Sequence, residues 1–295
     1  MATLIARLAG PLQSWGAESR LRTASTHSTP TWSGLLGLAR AALGHGRTDP
    51  LEDIQWLREL AMAVRIDQPG TIHTDYQTIN PLPAEYERFA LFSRADRGLV
   101  PLGTTLQASG QAPRWLKGEA PMQTRRQYLH DASFLWLVSG PADDVQKLAN
   151  ALTAPRWTLA LGRKGCTPAS PMLLGIHPGQ LLHAAESAPL TGNPSRNRSR
   201  YPAPPTTDTG GSAIESEARQ TVELVWLHGA PDPALTTTGT RVLLDSPLGG
   251  HPQNGYSAGN HTLGTITAPT GTDVLAWAEK TLTHPARATD QGAIE

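Results

Sequence analysis

The sequence predicts an α+β protein with a ferredoxin-like or RRM-like core, and three observations carry that expectation. From Thr3 to Leu152 the signals run strand, helix region, strand, strand, then strand and helix, which fits a β-α-β-β-α-β core when one strand pair is treated as the hairpin. Residues 80–124 break that order with a long stretch of no sustained period. Strand-like runs and a helix then return after residue 219, adding a short C-terminal β-rich section.

Thr3–Ala9 alternates as a strand does. It leads into Gly-Pro-Leu-Gln-Ser-Trp-Gly (Gly10–Gly16), where two glycines and a proline dictate a sharp bend. Ser33 is the expected N-cap of the apolar run Leu35–Leu43, and Gly44 stands where a C-terminal glycine belongs. Asp49-Pro50 gives a second start signal, followed by Leu51, Ile54, Leu57 and Leu60 at helical spacing. Ala61–Asp67 and Ile72–Ile79 flank Gln-Pro-Gly and read as a hairpin. Asn80–Thr124, rich in Pro, Gly, Arg and isolated aromatics, reads as an insertion projecting from the core.

Order resumes with Phe134–Val138, which suits a buried strand. Pro141–Leu152 places Val145, Leu148, Ala149 and Leu152 on one helical face, with Asp143 and Asp144 complementing the helix dipole. Ala184–Arg219 is dominated by Ser, Pro, Thr, Gly and Arg and reads as a flexible low-complexity loop. Thr221–Leu227, Arg241–Asp245 and a helical Asp273–Leu282 form the return section. The expected organisation is therefore a core of residues 1–79 and 125–183, an insertion at 80–124, a loop at 184–219, a return section at 220–285 and a tail at 286–295.

At 295 residues the chain holds one large domain or two small ones and can bury a sizeable core. Its formal net charge is zero, so bulk charge predicts no polyanion partner. Residues 1–48 nevertheless carry Arg7, Arg20, Arg22, Arg40 and Arg47 against Glu18 alone, which is either a local field for a phosphate backbone or a solvated basic face. Cys166 is the only cysteine, which rules out an internal disulfide and suits a small buried hydrophobe. No apolar run approaches the roughly 20 residues of a bilayer span, and the N-terminus lacks a signal-peptide pattern. A cytoplasmic protein with no membrane partner is expected. Phosphate-loop, His-Glu-x-x-His, Gly-x-Ser-x-Gly and Cys-x-x-Cys signatures are absent, and the histidines have no metal-ligand spacing. No metal, cofactor or catalytic residue is expected.

Four segments stand out for their glycines, aromatics or cations. In Gly10–Gly16, Gln13, Ser14 and Trp15 either present an amide, a hydroxyl and a stacking indole to a nucleotide, or form a structural turn with Trp15 as a core plug. Arg163 and Lys164 lie between two glycines in Leu161–Cys166, poised for phosphate oxygens or simply solvated. Arg125-Arg126, followed by Tyr128 and His130, either clamps phosphates beside a stacking ring or blunts a strand edge with charge. Arg196, Arg198 and Arg200 with Tyr201 read mainly as a solubilising run.

Taken in order, six blocks resemble the CasD family, the 5′-handle-binding, backbone-capping subunit of type I-E CRISPR Cascade complexes. They are Arg7–Gly16, Pro30–Leu38, Val64–Asp67, Asp75–Thr78, Arg126–Phe134 and Leu161–Cys166. The resemblance covers most of residues 3–176 and fades beyond Ile176. It implies an RRM-like core with an extended β-hairpin thumb. It implies an RNA-binding subunit that grips the 5′ handle of the CRISPR RNA for antiviral defence, in contact with the CasC backbone subunit and the large CasA subunit. Target DNA is then met only indirectly, through the complex. The RNA-binding residues it points to are Gln13, Ser14, Trp15, Thr31, Ser33, Arg125, Arg126, Tyr128, Arg163, Lys164 and Cys166. Trp32 occupies a position that is usually basic in this family. Relatives in another subtype cleave RNA without metal through Tyr, Lys and His; Tyr128, Lys164 and His130 are the matching residue types for that alternative, a metal-independent endoribonuclease.

Overall fold

The computed structural model describes residues 1–20, 22–46, 49–50, 52–79, 92–95, 98–101, 122–192, 219–245, 257–270 and 273–285. These divide into two compact units, one of Met1–Ser19, Ser25–His73 and Gln127–Glu295, the other of Arg20–Ala24 and Thr74–Arg126.

The larger unit opens with β1 (Ala2–Gln13), followed by β2 (Trp15–Arg20), β3 (Thr23–His27), α1 (Trp32–Leu43), a 3-10 helix (Glu52–Arg58), β4 (Ala61–Gln68) and the start of β5 (Thr71–Ile79). After β8 (Met122–Gly140) come α2 (Ala142–Thr153), β9 (Leu173–His177), α3 (Leu181–Ser187), β10 (Arg219–His228), β11 (Thr236–Asp245), β12 (Ser257–Pro269) and α4 (Val274–Thr281). The main sheet runs β11-β12-β10-β4-β8-β1-β9, with neighbouring strands antiparallel.

Both faces of that sheet are buried, which explains why β8 reads as an unbroken apolar run from Phe134 to Val138. Phe134, Trp136 and Val138 point into one core with Leu4, Ala6 and Leu8 of β1, beneath α1, the 3-10 helix and α2. Leu135 and Leu137 point into a second core with Ile5, Leu224 and Ile266, beneath α3 and α4. Each such side chain withdrawn from water contributes about 1.5–3 kcal/mol.

Helix ends follow local chemistry. The Oγ1 of Thr31, not of Ser33, accepts the N–H of Gly34 and caps α1, because Trp32 is already helical. Gly44 ends α1 at φ 83°, and Asp273 caps α4 by accepting from Leu275 N–H. Arg40 is buried and donates to the carbonyl of Gly46, so it adds nothing to an exposed basic face. The periodic run after Pro50 is a 3-10 helix, with Ile54 and Leu57 buried.

The expected hairpin between Ala61–Asp67 and Ile72–Ile79 does not form. β4 and β5 both pair with β8 instead. Gln-Pro-Gly is a bend: Gly70 takes φ 68°, and a Cβ there would fall 2.4 Å from the carbonyl oxygen of His130. The expected loop at 184–219 is helical at its start, where Leu181, Leu182, Ala184 and Ala185 are buried; residues 193–218, with Arg196, Arg198, Arg200 and Tyr201, lie outside the described residues, as do Arg47 and the tail 286–295. The return section extends the main sheet through β10, beside β4, and includes β12, which the sequence reading passed over.

A buried charge network joins β4 to the second core. Arg65 Nε and Nη2 donate to the two carboxylate oxygens of Asp67 at 2.6 and 3.0 Å. Its Nη1 donates to the carbonyls of Ala185 and Ala188, and Nη2 also to that of Pro189. Asp67 Oδ2 in turn accepts from the backbone N–H and the hydroxyl of Thr191.

At the end of β9, His177 is buried and its Nδ1 accepts the N–H of Gly179 at 2.9 Å, while its ring lies 5.1 Å from that of His183. Burial, and then the charge of His183, hold the His177 pKa below the ordinary histidine value of 6.5. The unfolded chain therefore takes up this proton before the fold does. Stability from the site is complete above about pH 6.5 and is lost as pH falls through the folded-state value. His177→Asn should make the fall in urea midpoint between pH 7 and pH 5 shallower; an unchanged slope would refute this.

In the smaller unit, β3 pairs in parallel with the first part of β8, Thr23 opposite Arg125 and Ala24 opposite Arg126. β6 (Phe92–Ala95) and β7 (Gly98–Pro101) form an antiparallel pair. The rest of the predicted insertion, residues 80–91, 96–97 and 102–121, lies outside the described residues.

Candidate nucleic-acid interface

Four chain segments meet at the end of β1. Ser14 N–H donates to the carbonyl of Leu161 at 2.9 Å, seating the Leu161–Cys166 loop on the β1–β2 bend. That loop closes on itself, Leu161 N–H to the Cys166 carbonyl at 2.7 Å and Cys166 N–H to the Arg163 carbonyl at 2.8 Å. Gly162 is required there: it adopts φ 98°, and a Cβ would lie 1.7 Å from the Ser14 carbonyl oxygen. Leu161 and Cys166 are anchored in the first core, so the loop projects Gly162, Lys164 and Gly165 into solvent.

Gln13 and Trp15 form the floor. Trp15 is 1% exposed and its Nε1 donates to Gln13 Oε1 at 3.0 Å. Gln13 Nε2 donates to the carbonyls of Leu8 and Ala132, so a fully buried amide uses both ends. The indole lies against Gly34 in the first turn of α1, at 3.0 Å from a Cβ built there. Of the two readings of Gly10–Gly16, the structure has the plug: Trp15 offers no face to a base, and Gln13 and Ser14 are buried beside it.

From that floor a chain of contacts reaches the surface. Trp15 N–H donates to Thr26 Oγ1 at 2.7 Å, and Thr26 N–H donates to Gln127 Oε1 at 3.4 Å. Arg163 Nη1 donates to the Gln127 carbonyl at 2.8 Å, and its guanidinium sits 4.8 Å above the Tyr128 ring. Tyr128 and Arg163 are half-buried and Lys164 is exposed, so a planar cation, a ring and a mobile ammonium lie around one glycine loop. Thr26 and Gln127 were not singled out from the sequence; nothing in their spacing marks two polar residues as supports.

The other predicted residues divide plainly. Thr31 is spent on capping α1, and Ser33 is half-buried in its first turn. Trp32 stacks on His228 with ring centroids 5.0 Å apart. Cys166 is fully buried in the first core, and burial raises its thiol pKa against the opposing effect of Arg163. Tyr128 is covered by Arg163 and His130 packs on His73 at 4.4 Å, neither of them on Lys164. In the smaller unit, Arg125 is exposed with its guanidinium 5.9 Å from the Tyr76 ring, and Arg126 is half-buried. Among the described residues no group of three His, Cys, Asp or Glu could hold a metal.

A family model described as CRISPR-associated protein (Cas_Cas5) matches residues 3–206. The chain belongs to the Cas5 family. The Cas5 match takes in all four segments that meet at the end of β1, while β10, β11, β12 and α4 lie beyond it. Among curated Cas5 relatives, the CRISPR system Cascade subunit CasD of Escherichia coli (strain K12) is 38% identical over 176 residues, 58% of this chain and 70% of that protein. A chain of a solved CRISPR RNA-guided surveillance complex superposes with a TM-score of 0.59 at 26% identity, covering 97% of this chain and 95% of that one. A crystal structure of a Cas protein shares the fold, with a TM-score of 0.51 at 24% identity over 96% of this chain and 99% of that one. The mixed helix-and-sheet architecture described above is thus that of Cas5 structures. No helix among the described residues is long and apolar enough to cross a membrane.

Proposed function

We propose that this Cas5 protein is the RNA-binding structural subunit of a type I-E Cascade complex, holding the 5′ handle of the CRISPR RNA and capping the backbone. The observation that carries the reading is the Arg163–Tyr128–Lys164 surface on a braced glycine loop, in a chain 38% identical to a Cascade CasD. Single-stranded RNA is held by phosphate neutralisation and stacking on planar groups, and this surface offers both. The strand order β9-β1-β8-β4, with α1 and α2 on one face, fits a ferredoxin-like core. The opposite face, which an RRM-type module would turn to RNA, lies beneath α3 and α4, so binding falls to the loop-bearing end of β1 and β8. Arg125 and Arg126 belong to the same function through the smaller unit, which serves as the thumb toward a CasC-type neighbour. CasA is the remaining contact, and the complex works in the cytoplasm.

The proposed role is binding rather than cleavage: Tyr128 lies under the Arg163 guanidinium and His130 packs on His73, contacts that suit holding a strand. Arg163→Ala with Lys164→Ala should weaken binding of a single-stranded repeat RNA and reduce the slope of log K against log salt by about 1.4, that is, about 0.7 per phosphate contact. The same RNA should stay intact in EDTA. An unaltered slope, or specific cuts abolished by His130→Ala, would refute the proposal.

A further inference from the structure

Next to the Arg163–Tyr128 surface lies a second feature that the proposed function leaves unused. His73 of β5 and His130 of β8 face each other across adjacent strands, their ring centroids 4.4 Å apart and tilted by 38°. His73 is exposed and His130 half-buried. The contact is held in place from below. Gly70 lets β5 approach so closely that a Cβ there would meet the His130 carbonyl at 2.4 Å and the Ala132 side chain at 2.8 Å. On β8, His130 stands two residues from Tyr128, which puts the two side chains on one side of the strand at about 6.6–6.8 Å. Across from His130, Leu12 of β1 carries no charge.

An anion between two cationic rings offsets the repulsion between like charges. Protonated imidazoles are donors only, on both ring nitrogens, and a phosphodiester oxygen accepts such bonds well. The flanking ionisable groups are Arg163 and Tyr128 on one side, Asp131 beside His130 on β8, and Asp75 two positions along β5 from His73. Asp131 adopts φ 53°, a local kink in β8 next to the pair. We infer that His73 and His130 form a phosphate subsite continuing the RNA path from Tyr128 and Arg163, filled by one phosphodiester of single-stranded RNA with uptake of a proton. This rests on the proposed function, since it extends that surface by one contact.

The test is fluorescence anisotropy of the full chain with a labelled single-stranded RNA of CRISPR-repeat sequence, at fixed ionic strength from pH 8 to pH 6. Binding should tighten roughly tenfold on acidification, the worth of one charge-assisted contact. His73→Gln with His130→Gln should abolish most of that pH response while leaving pH 8 binding nearly intact. His130→Arg should hold the tighter affinity up to pH 8, and its retained binding guards against misreading a folding defect. A pH response equal in the double-Gln variant and the unsubstituted chain would overturn this inference and leave the proposed function standing. No binding at any pH would overturn both. Affinity that falls on adding EDTA would assign the pair to a divalent cation and overturn the phosphate assignment.

Discussion

Replacing Arg65 with alanine is expected to lower the unfolding free energy by about 3–5 kcal/mol, a large part of the roughly 5–15 kcal/mol that keeps a domain folded. The loss has two sources. Asp67 would remain in a wholly buried site without the guanidinium that bridges its two carboxylate oxygens, although the Thr191 donors would stay. The carbonyls of Ala185, Ala188 and Pro189 would lose their shared donor at the end of α3. Breaking one member of a buried pair costs more than removing both, because the survivor is left charged and dry. Arg65→Met with Asp67→Leu should therefore recover part of the loss. Urea denaturation of the three chains tests this. A double variant as unstable as Arg65→Ala would show that the hydrogen bonds to α3, rather than the stranded charge, set the cost.

The second large effect is expected at Gly162. Gly162→Ala places a methyl where the Ser14 carbonyl oxygen already lies and forces a left-handed backbone on alanine. Strain of this kind costs about 1–3 kcal/mol where the chain cannot move. The loop Leu161–Cys166 can relieve it only by lifting from Ser14, which uncouples Arg163 from Gln127 and Tyr128. RNA affinity should then drop at least as far as in Arg163→Ala, while thermal unfolding shifts only modestly. Gly165→Ala is the control, since nothing lies within 4 Å of a Cβ there. Equal RNA binding by the Gly162 and Gly165 variants would show that the seating of the loop does not matter.

What could be read in advance had local causes. The helix at Ala142–Thr153 shows its buried face through Val145, Leu148, Ala149 and Leu152, and α1 ends at a glycine that must be left-handed. Gln-Pro-Gly misled because a proline-glycine pair also marks a turn between paired strands. Only the distant partner, β8, decides that β4 bends and continues into β5. β12 went unread because its buried positions, His261, Gly264, Ile266, Ala268 and Pro269, include one large aliphatic side chain and so make a weak polar–apolar contrast. In the same way, the basic and glycine-rich segments of the candidate site were visible as composition. Whether Trp15 stacked a base or filled the core depended on Gly34 and Gln13, which reach it only after folding.

The match to the family model stops at residue 206, but the physics does not respect that border. β10 takes up the hydrogen-bonding edge of β4, and α4 with Leu224 and Ile266 roofs the hydrophobic side of Leu135 and Leu137. A polypeptide ended at the likeness would bare a long, flat, sticky strand margin and half a greasy interior, the recipe for self-association. The C-terminal third beyond the family-model match is thus a structural obligation of the two-thirds before it.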